Sequence, residues 1–187
     1  KALVISGGGS KGAFAGGVAQ YLMKNKKKEY DLFLGTSTGS LMVSHLALGM
    51  VDELRELYTS VEQKSIFSNS PFKVKNVHGT KVISIRHLNT LWNFMNGRKT
   101  FGESKNLRKL IKNNITKKMY DEIRKNNKEV IITVSNLTAN KIEYKSINEC
   151  SYDDFCDWIW GSCNYVPFMS LLEKNNQQYA DGGFGSL

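Results

Sequence analysis

The chain has 187 residues, of which 41% are apolar and 23% charged, a composition that argues for one folded domain over residues 1–187 and against disorder. At this length a single core buries roughly two-thirds of the unfolded surface, so no metal or disulfide staple is called for. A formal charge of +9 favours an anionic partner such as an acidic membrane surface; neither zinc-finger spacing nor an aromatic RNA-recognition signature accompanies the lysines, and nucleic acid is not expected.

Ala2 to Ser6, "ALVIS", is short, partly β-branched and bounded by glycines, the pattern of a buried parallel strand. No charged leader precedes it, so no signal peptide is expected. The turn Gly7-Gly8-Gly9-Ser10-Lys11-Gly12 feeds a helix over Ala13 to Met23, in which Phe14, Val18, Tyr21 and Leu22 recur at helical spacing. Lys24 to Lys28 reads as its solvated end. Tyr30 to Gly35 is a second strand, and Ser40 to Met50 a largely apolar helix. Its apolar run is broken by Ser44 and His45 and is about half a membrane span, so no transmembrane helix is expected. Asp52 is placed as the cap of a charged helix that reaches Glu62.

Ser65 to Gly102 mixes Pro71, Gly79 and Gly97 with apolar runs and fits no single element. Its aromatics, among them Phe67, Phe72, Trp92, Phe94 and Phe101, lie among lysines and arginines, either as core packing or as a lid or lipid-docking surface. Ser104 is expected to cap a basic helix over residues 105–115, and residues 121–127 add a helical turn or two. Glu129 to Leu137 reads as a buried strand and Lys141 to Ile147 as an edge strand. Residues 151–163 form a helix with Phe155, Trp158 and Ile159 on one face. Trp158 and Trp160 cannot share a face, and one of them is expected to line a pocket. Cys150, Cys156 and Cys163 are odd in number and lack C-x-x-C spacing, which favours reduced thiols and a cytosolic setting over disulfides or zinc. Gln177 to Ala180 is a last short strand running into Asp181-Gly182-Gly183. Strands alternating with helices imply an α/β sandwich around a mostly parallel sheet.

Gly35-Thr36-Ser37-Thr38-Gly39 fits G-x-S-x-G at a strand-to-helix junction, the context in which a tight turn projects the serine from the strand end. Ser37 is then a nucleophile at a helix N-terminus, where the dipole favours developing negative charge. The spacing of Gly7, Gly9 and Gly12 also matches a dinucleotide fingerprint, but the second strand ends in Gly35 to Ser37 where that site needs an acid. A P-loop fails as well, because Lys11 precedes Gly12. The glycines are better read as an oxyanion hole, with Gly8 and Gly9 as the leading N–H donors and Thr38 N–H assisting. His45, eight residues along the helix, stands about 12 Å from Ser37 along its axis. His78 and His87 fall in the unplaced segment, so a histidine triad is poorly supported. Asp181, at the end of the last strand, is the better base, provided burial raises its pKa and the strand ends converge.

These three motifs, in this order, resemble the patatin-like phospholipase family. Gly7-Gly8-Gly9-Ser10-Lys11-Gly12 is similar to its oxyanion motif, Gly35-Thr36-Ser37-Thr38-Gly39 to its nucleophile motif and Asp181-Gly182-Gly183 to its acid motif. Residues 161–169, "GSCNYVPFM", resemble the segment that precedes the acid. The resemblance implies a three-layer α/β/α sandwich, a Ser37/Asp181 dyad without histidine, and an oxyanion hole from the Gly7 to Gly12 backbone. It also implies hydrolysis of phospholipid or other acyl-ester lipids with no metal or cofactor. Family chains usually continue past the acid motif, whereas this one ends at Leu187, so the expectation is either a minimal or truncated domain or one completed by a missing partner segment. The competing reading is a catalytically silent lipid- or protein-binding module with the same fold.

Overall fold

Strand β1 (Ala2–Ile5) pairs in parallel with β2 (Leu32–Thr36), and α1 (Gly12–Gln20), closed by a π-helical turn at Tyr21–Asn25, connects them. Helices α2 (Thr38–Ala47), α3 (Val51–Ser60) and the short α4 (Gln63–Ile66) follow, then β3 (Phe72–Val77), β4 (Thr80–Ile85) and α5 (His87–Met95). Helices α6 (Lys105–Asn114) and α7 (Lys117–Lys125) precede β5 (Glu129–Asn136), β6 (Lys141–Ser146) and α8 (Tyr152–Ser162). The chain closes with β7 (Leu172–Lys174), β8 (Gln177–Asp181) and a 3-10 turn at Gly182–Ser186. This computed structural model describes residues 1–77 and 79–186; His78 and Leu187, both weighed above, lie outside them.

The central sheet is mixed, in order β1-β2-β5-β8-β7, with β6 also on β5. Strands β1, β2 and β5 form its parallel heart. Strand β6 pairs antiparallel along one edge of β5, while β2 and β8 share the other edge end to end. Alternation places Ile5, Phe33, Val130, Ile132 and Val134 on one face, all buried. Against it pack α2, α7 and α8 through Met42, Val43, Leu46, Ile123, Phe155 and Ile159. Each such side chain contributes about 1.5–3 kcal/mol. On the opposite face the final turn lies over β5 and β6, with Gly185 against Ile142 and Ser135. The arrangement is an α/β/α sandwich, and no helix among the described residues is long and apolar enough to cross a membrane.

Several expectations are refined. Helix α3 starts one residue before Asp52, which joins Glu53 in the first turn and forms an ion pair with Lys24. Ser104 does occupy the N-cap position of α6, but its hydroxyl donates to Asn164 Oδ1 at 2.6 Å instead of capping. Trp158 and Trp160 are both buried and neither lines the cavity described below. Trp158 packs edge-on against Tyr179, and Trp160 donates Nε1 to the Ser104 carbonyl at 3.0 Å.

Within Ile66 to Phe101 some aromatics pack against the body and other apolar side chains stay exposed. Phe67, Phe72, Phe94, Phe101 and Phe168 form a chain of ring contacts 5.4 to 5.9 Å apart that fastens the β3–β4 hairpin and α5 to the body. Leu88, Leu91, Trp92 and Met95 remain exposed. The hairpin escaped the pattern reading because it lies outside the main sheet, and both its faces carry exposed side chains.

Candidate active site

Ser37 sits between β2 and α2 with φ 55° and ψ −125°, a conformation that strains a residue bearing a Cβ by about 1–3 kcal/mol. Both of its backbone polar groups are tied down. Its N–H donates to Ser162 Oγ at 2.9 Å, and Ser162 donates onward to the Thr133 carbonyl of β5 at 2.7 Å. The Ser37 carbonyl accepts from Ser40 N–H at 2.9 Å, Ser40 Oγ at 2.5 Å and Cys163 Sγ at 3.1 Å. Burial pushes the Cys163 thiol up to about 12, so it stays protonated and able to donate. Because the Ser37 N–H is occupied, the next free backbone donor of α2 is that of Thr38, in the first turn that a helix leaves without internal partners.

Glycines make the elbow sterically possible. A Cβ on Gly39 would stand 2.1 Å from the Ile5 carbonyl oxygen, so α2 could not approach β1 with any side chain there. A Cβ on Gly7 would stand 2.7 Å from Ser37 Cβ, which places the glycine-turn backbone directly against Ser37. Gly35 gives the same close approach between β2 and the start of α2.

Asp181 arrives from the other direction. Strand β8 runs antiparallel to β5, with Asp181 opposite Val134, while Thr36 of β2 lies opposite Thr133. The two carboxyl ends therefore meet head-on, where the sequence reading expected parallel ends side by side. Gly182 turns the chain away through a gap too small for a Cβ, which would stand 2.3 Å from the Thr133 oxygen and 3.0 Å from Thr36 Cγ2. The Asp181 N–H is held by the Asn164 carbonyl at 3.0 Å, and its Oδ1 accepts from Gly183 N–H at 2.8 Å. Burial raises the Asp181 pKa above its ordinary value, against the weaker opposing pull of the nearby Ser37 hydroxyl and of the Gly183 N–H that donates to it.

Ser37 and Asp181 line one cavity of about 760 Å³. Gly7, Gly8, Gly9, Ser10, Thr38 and Gly183 are also in its wall. The first N–H groups of the Gly9–Lys11 turn have no internal helical partner and are available as donors. Gly12 is set differently from the other expected oxyanion residues: it is buried between α1 and α2, where a Cβ would stand 3.0 Å from Met42 Cε and 3.1 Å from Thr38 Cβ. Lys11 is exposed. The rest of the wall is largely apolar, with Leu41, Leu57, Ile66, Leu107, Ile111 and Ile115. His45 contributes to this wall from the buried side of α2, and burial depresses its pKa. Tyr58 closes the side by donating to the Thr38 carbonyl at 2.9 Å. Ser162 and Cys163, which hydrogen-bond to the Ser37 backbone, are residues that sequence reading missed. The segment containing them was singled out by resemblance, but no pattern reveals a hydrogen bond across 125 residues.

Comparison with known proteins gives the class. The family model of patatin-like phospholipases matches residues 3–186, nearly the whole chain. The chain belongs to the patatin-like phospholipase family. The crystal structure of VipD from Legionella pneumophila superposes with a TM-score of 0.60 at 17% identity, over 98% of this chain and 46% of that one. The likeness is one of fold, and this chain spans less than half of that neighbour's length. A search of curated proteins finds no match.

Proposed function

We propose that the protein hydrolyses carboxyl esters of phospholipids or lysophospholipids through a Ser37/Asp181 dyad. The single observation that carries this is the convergence of Ser37 and a buried Asp181, from opposed strand ends, in the wall of one largely apolar cavity. In the first half-reaction Ser37 Oγ attacks the ester carbonyl as its proton passes to Asp181. The oxyanion that forms is met by backbone N–H groups of the Gly7 to Gly9 turn and of Thr38, each such donor contributing about 3 kcal/mol. Collapse breaks the ester C–O bond, and Asp181 returns the proton to the departing alkoxide, leaving an acyl-serine. Water then attacks the acyl carbon while giving a proton to Asp181, and Ser37 leaves reprotonated with release of the fatty acid.

The raised pKa of Asp181 brings the base nearer to neutrality. The apolar cavity provides space for an acyl chain, and the cationic chain favours work at an anionic membrane surface. The chemistry proposed needs no metal or cofactor. Fatty-acid release from phospholipid and lysophospholipid vesicles tests the reading. The wild-type protein is expected to turn over and Ser37→Ala to be silent; equal release by both, or release by neither, contradicts it.

A further inference from the structure

Helix α5 presents its apolar stripe to water. Leu88, Leu91, Trp92 and Met95 recur at i, i+3, i+4 and i+7, the spacing that normally faces a core, yet they are 84, 58, 65 and 73% exposed. The face turned inward is polar. Asn93 is buried, donates to the Phe101 carbonyl at 2.7 Å and accepts from Asn69, while Asn89 donates to Asn69 Oδ1 at 2.9 Å. The helix is thus anchored by asparagines and oriented with its apolar side outward. Soluble surfaces rarely leave a stripe of this kind uncovered.

The charges of the segment that carries it are all of one sign. Residues 65–102 contain no aspartate or glutamate, but six cations: Lys73, Lys75, Lys81, Arg86, Arg98 and Lys99. Arg98 and Lys99 pair with Glu103 and Glu173 outside the segment, while the four on the hairpin and its exit are exposed. The cross-strand neighbours Val74 and Ile83 add exposed apolar surface on the hairpin face that carries Lys81, and exposed Val82 lies opposite Lys75 on the other face. An exposed Trp-bearing apolar stripe among unopposed cations is complementary to the interface of an anionic bilayer, which offers acyl chains below and negative headgroups above.

We propose that the β3–β4 hairpin and α5 form the element that docks this protein onto an anionic lipid bilayer, the α5 stripe entering the interface and the hairpin cations meeting the headgroups. The inference deepens the lipid-ester reading by naming the surface that meets the membrane. The hairpin is tied to the cavity wall through packed rings. Phe72 of the hairpin contacts Phe67 and Phe168, Phe168 stacks on Tyr165, and both Phe67 and Tyr165 line the cavity.

The test uses binding, so it stands apart from turnover. Trp92 is the exposed tryptophan, whereas Trp158 and Trp160 are 6 and 7% exposed, so an emission shift reports on the stripe. The full chain and its Ser37→Ala variant are mixed with phosphatidylcholine vesicles with and without phosphatidylserine. Both proteins are expected to bind the anionic vesicles, with Trp emission moving to shorter wavelength and binding weakening as salt is raised. Lys73→Gln, Lys75→Gln and Lys81→Gln each weaken partition about fivefold. Leu88→Asp with Leu91→Asp weakens it more than tenfold, with circular dichroism and turnover of a water-soluble ester unchanged. Vesicle binding without any ester turnover would support the docking element while removing the hydrolase reading. Absence of binding to anionic vesicles, binding indifferent to the Leu88→Asp/Leu91→Asp change, or self-association through these residues in place of vesicle binding would overturn the proposal.

Discussion

Thr36 and Asp181 occupy consecutive positions on one edge of β5, opposite Thr133 and Val134. Two strands that approach head-on along a common neighbour bring the residue after the first, Ser37, against the end of the second. The meeting point is fixed by sheet hydrogen bonds, so neither partner depends on a long loop for its position. Ser162 adds a brace by linking Ser37 N–H to the Thr133 carbonyl of that same strand.

The proposed role of Asp181 sets function against stability. Its folded pKa is raised, chiefly by burial, so the folded chain binds a proton more readily than the unfolded chain. This contribution to stability grows as pH falls from above the folded pKa toward the unfolded one and is absent at neutral pH. Asp181→Asn is therefore expected to raise the melting temperature at pH 7 by a few degrees while lowering turnover about 10²–10⁴-fold. Wild-type kcat/KM should fall on acidification through a pKa above the ordinary aspartate value. Calorimetry and a pH profile check the two halves.

Ser162→Ala leaves the Ser37 N–H and the Thr133 carbonyl without their shared partner. The expected destabilisation is about 1–3 kcal/mol. A positioning role further predicts a fall in kcat of about tenfold or more with KM little changed, and partial rescue by Ser162→Thr. Steady-state kinetics of the two variants separates this from a purely structural effect.

Two glycine substitutions should behave oppositely. At Gly7 a Cβ would meet Ser37 Cβ at 2.7 Å, and displacement of the nucleophile on that scale lowers turnover about a hundredfold. At Gly17, within α1, a Cβ meets nothing within 4 Å, and Gly17→Ala should stabilise the fold by about 0.5–1 kcal/mol without loss of activity. Thermal melts and turnover on the same preparations give both comparisons.

His45 is 4% exposed, and burial holds its imidazole below the ordinary histidine value. With the folded pKa depressed, the stability linked to this residue is present above the unfolded value near 6.5 and is lost as pH falls through it toward the folded one. His45→Phe removes the titration, so its stability should decline less than wild type between neutral and mildly acid pH. Denaturant midpoints across that range measure the difference.

The glycines of the three motifs were legible because tight turns and close backbone approach demand glycine at fixed spacing, a demand that Gly7, Gly35, Gly39 and Gly182 meet sterically. The strands of the parallel heart were legible for a different reason: buried central strands read as apolar runs. Antiparallel β8 was found as a strand, but its direction was hidden because three ladder pairs with β5 leave no periodic trace. Ser104 reads as an N-cap in sequence and occupies that position, yet Asn164 and Trp160 claim its hydroxyl. The α5 stripe has the spacing of a core-facing helix, and only the folded chain reveals that Asn89 and Asn93 face inward.

The most direct measurement treats the folded protein with a fluorescent fluorophosphonate and maps the adduct in wild type, Ser37→Ala and Asp181→Ala. The dyad predicts one adduct on Ser37 of the wild type, none in Ser37→Ala, and a labelling rate in Asp181→Ala lowered about 10²-fold or more. A folded wild-type protein that takes no label, or one whose Ser37 reacts at the same rate without Asp181, would contradict it.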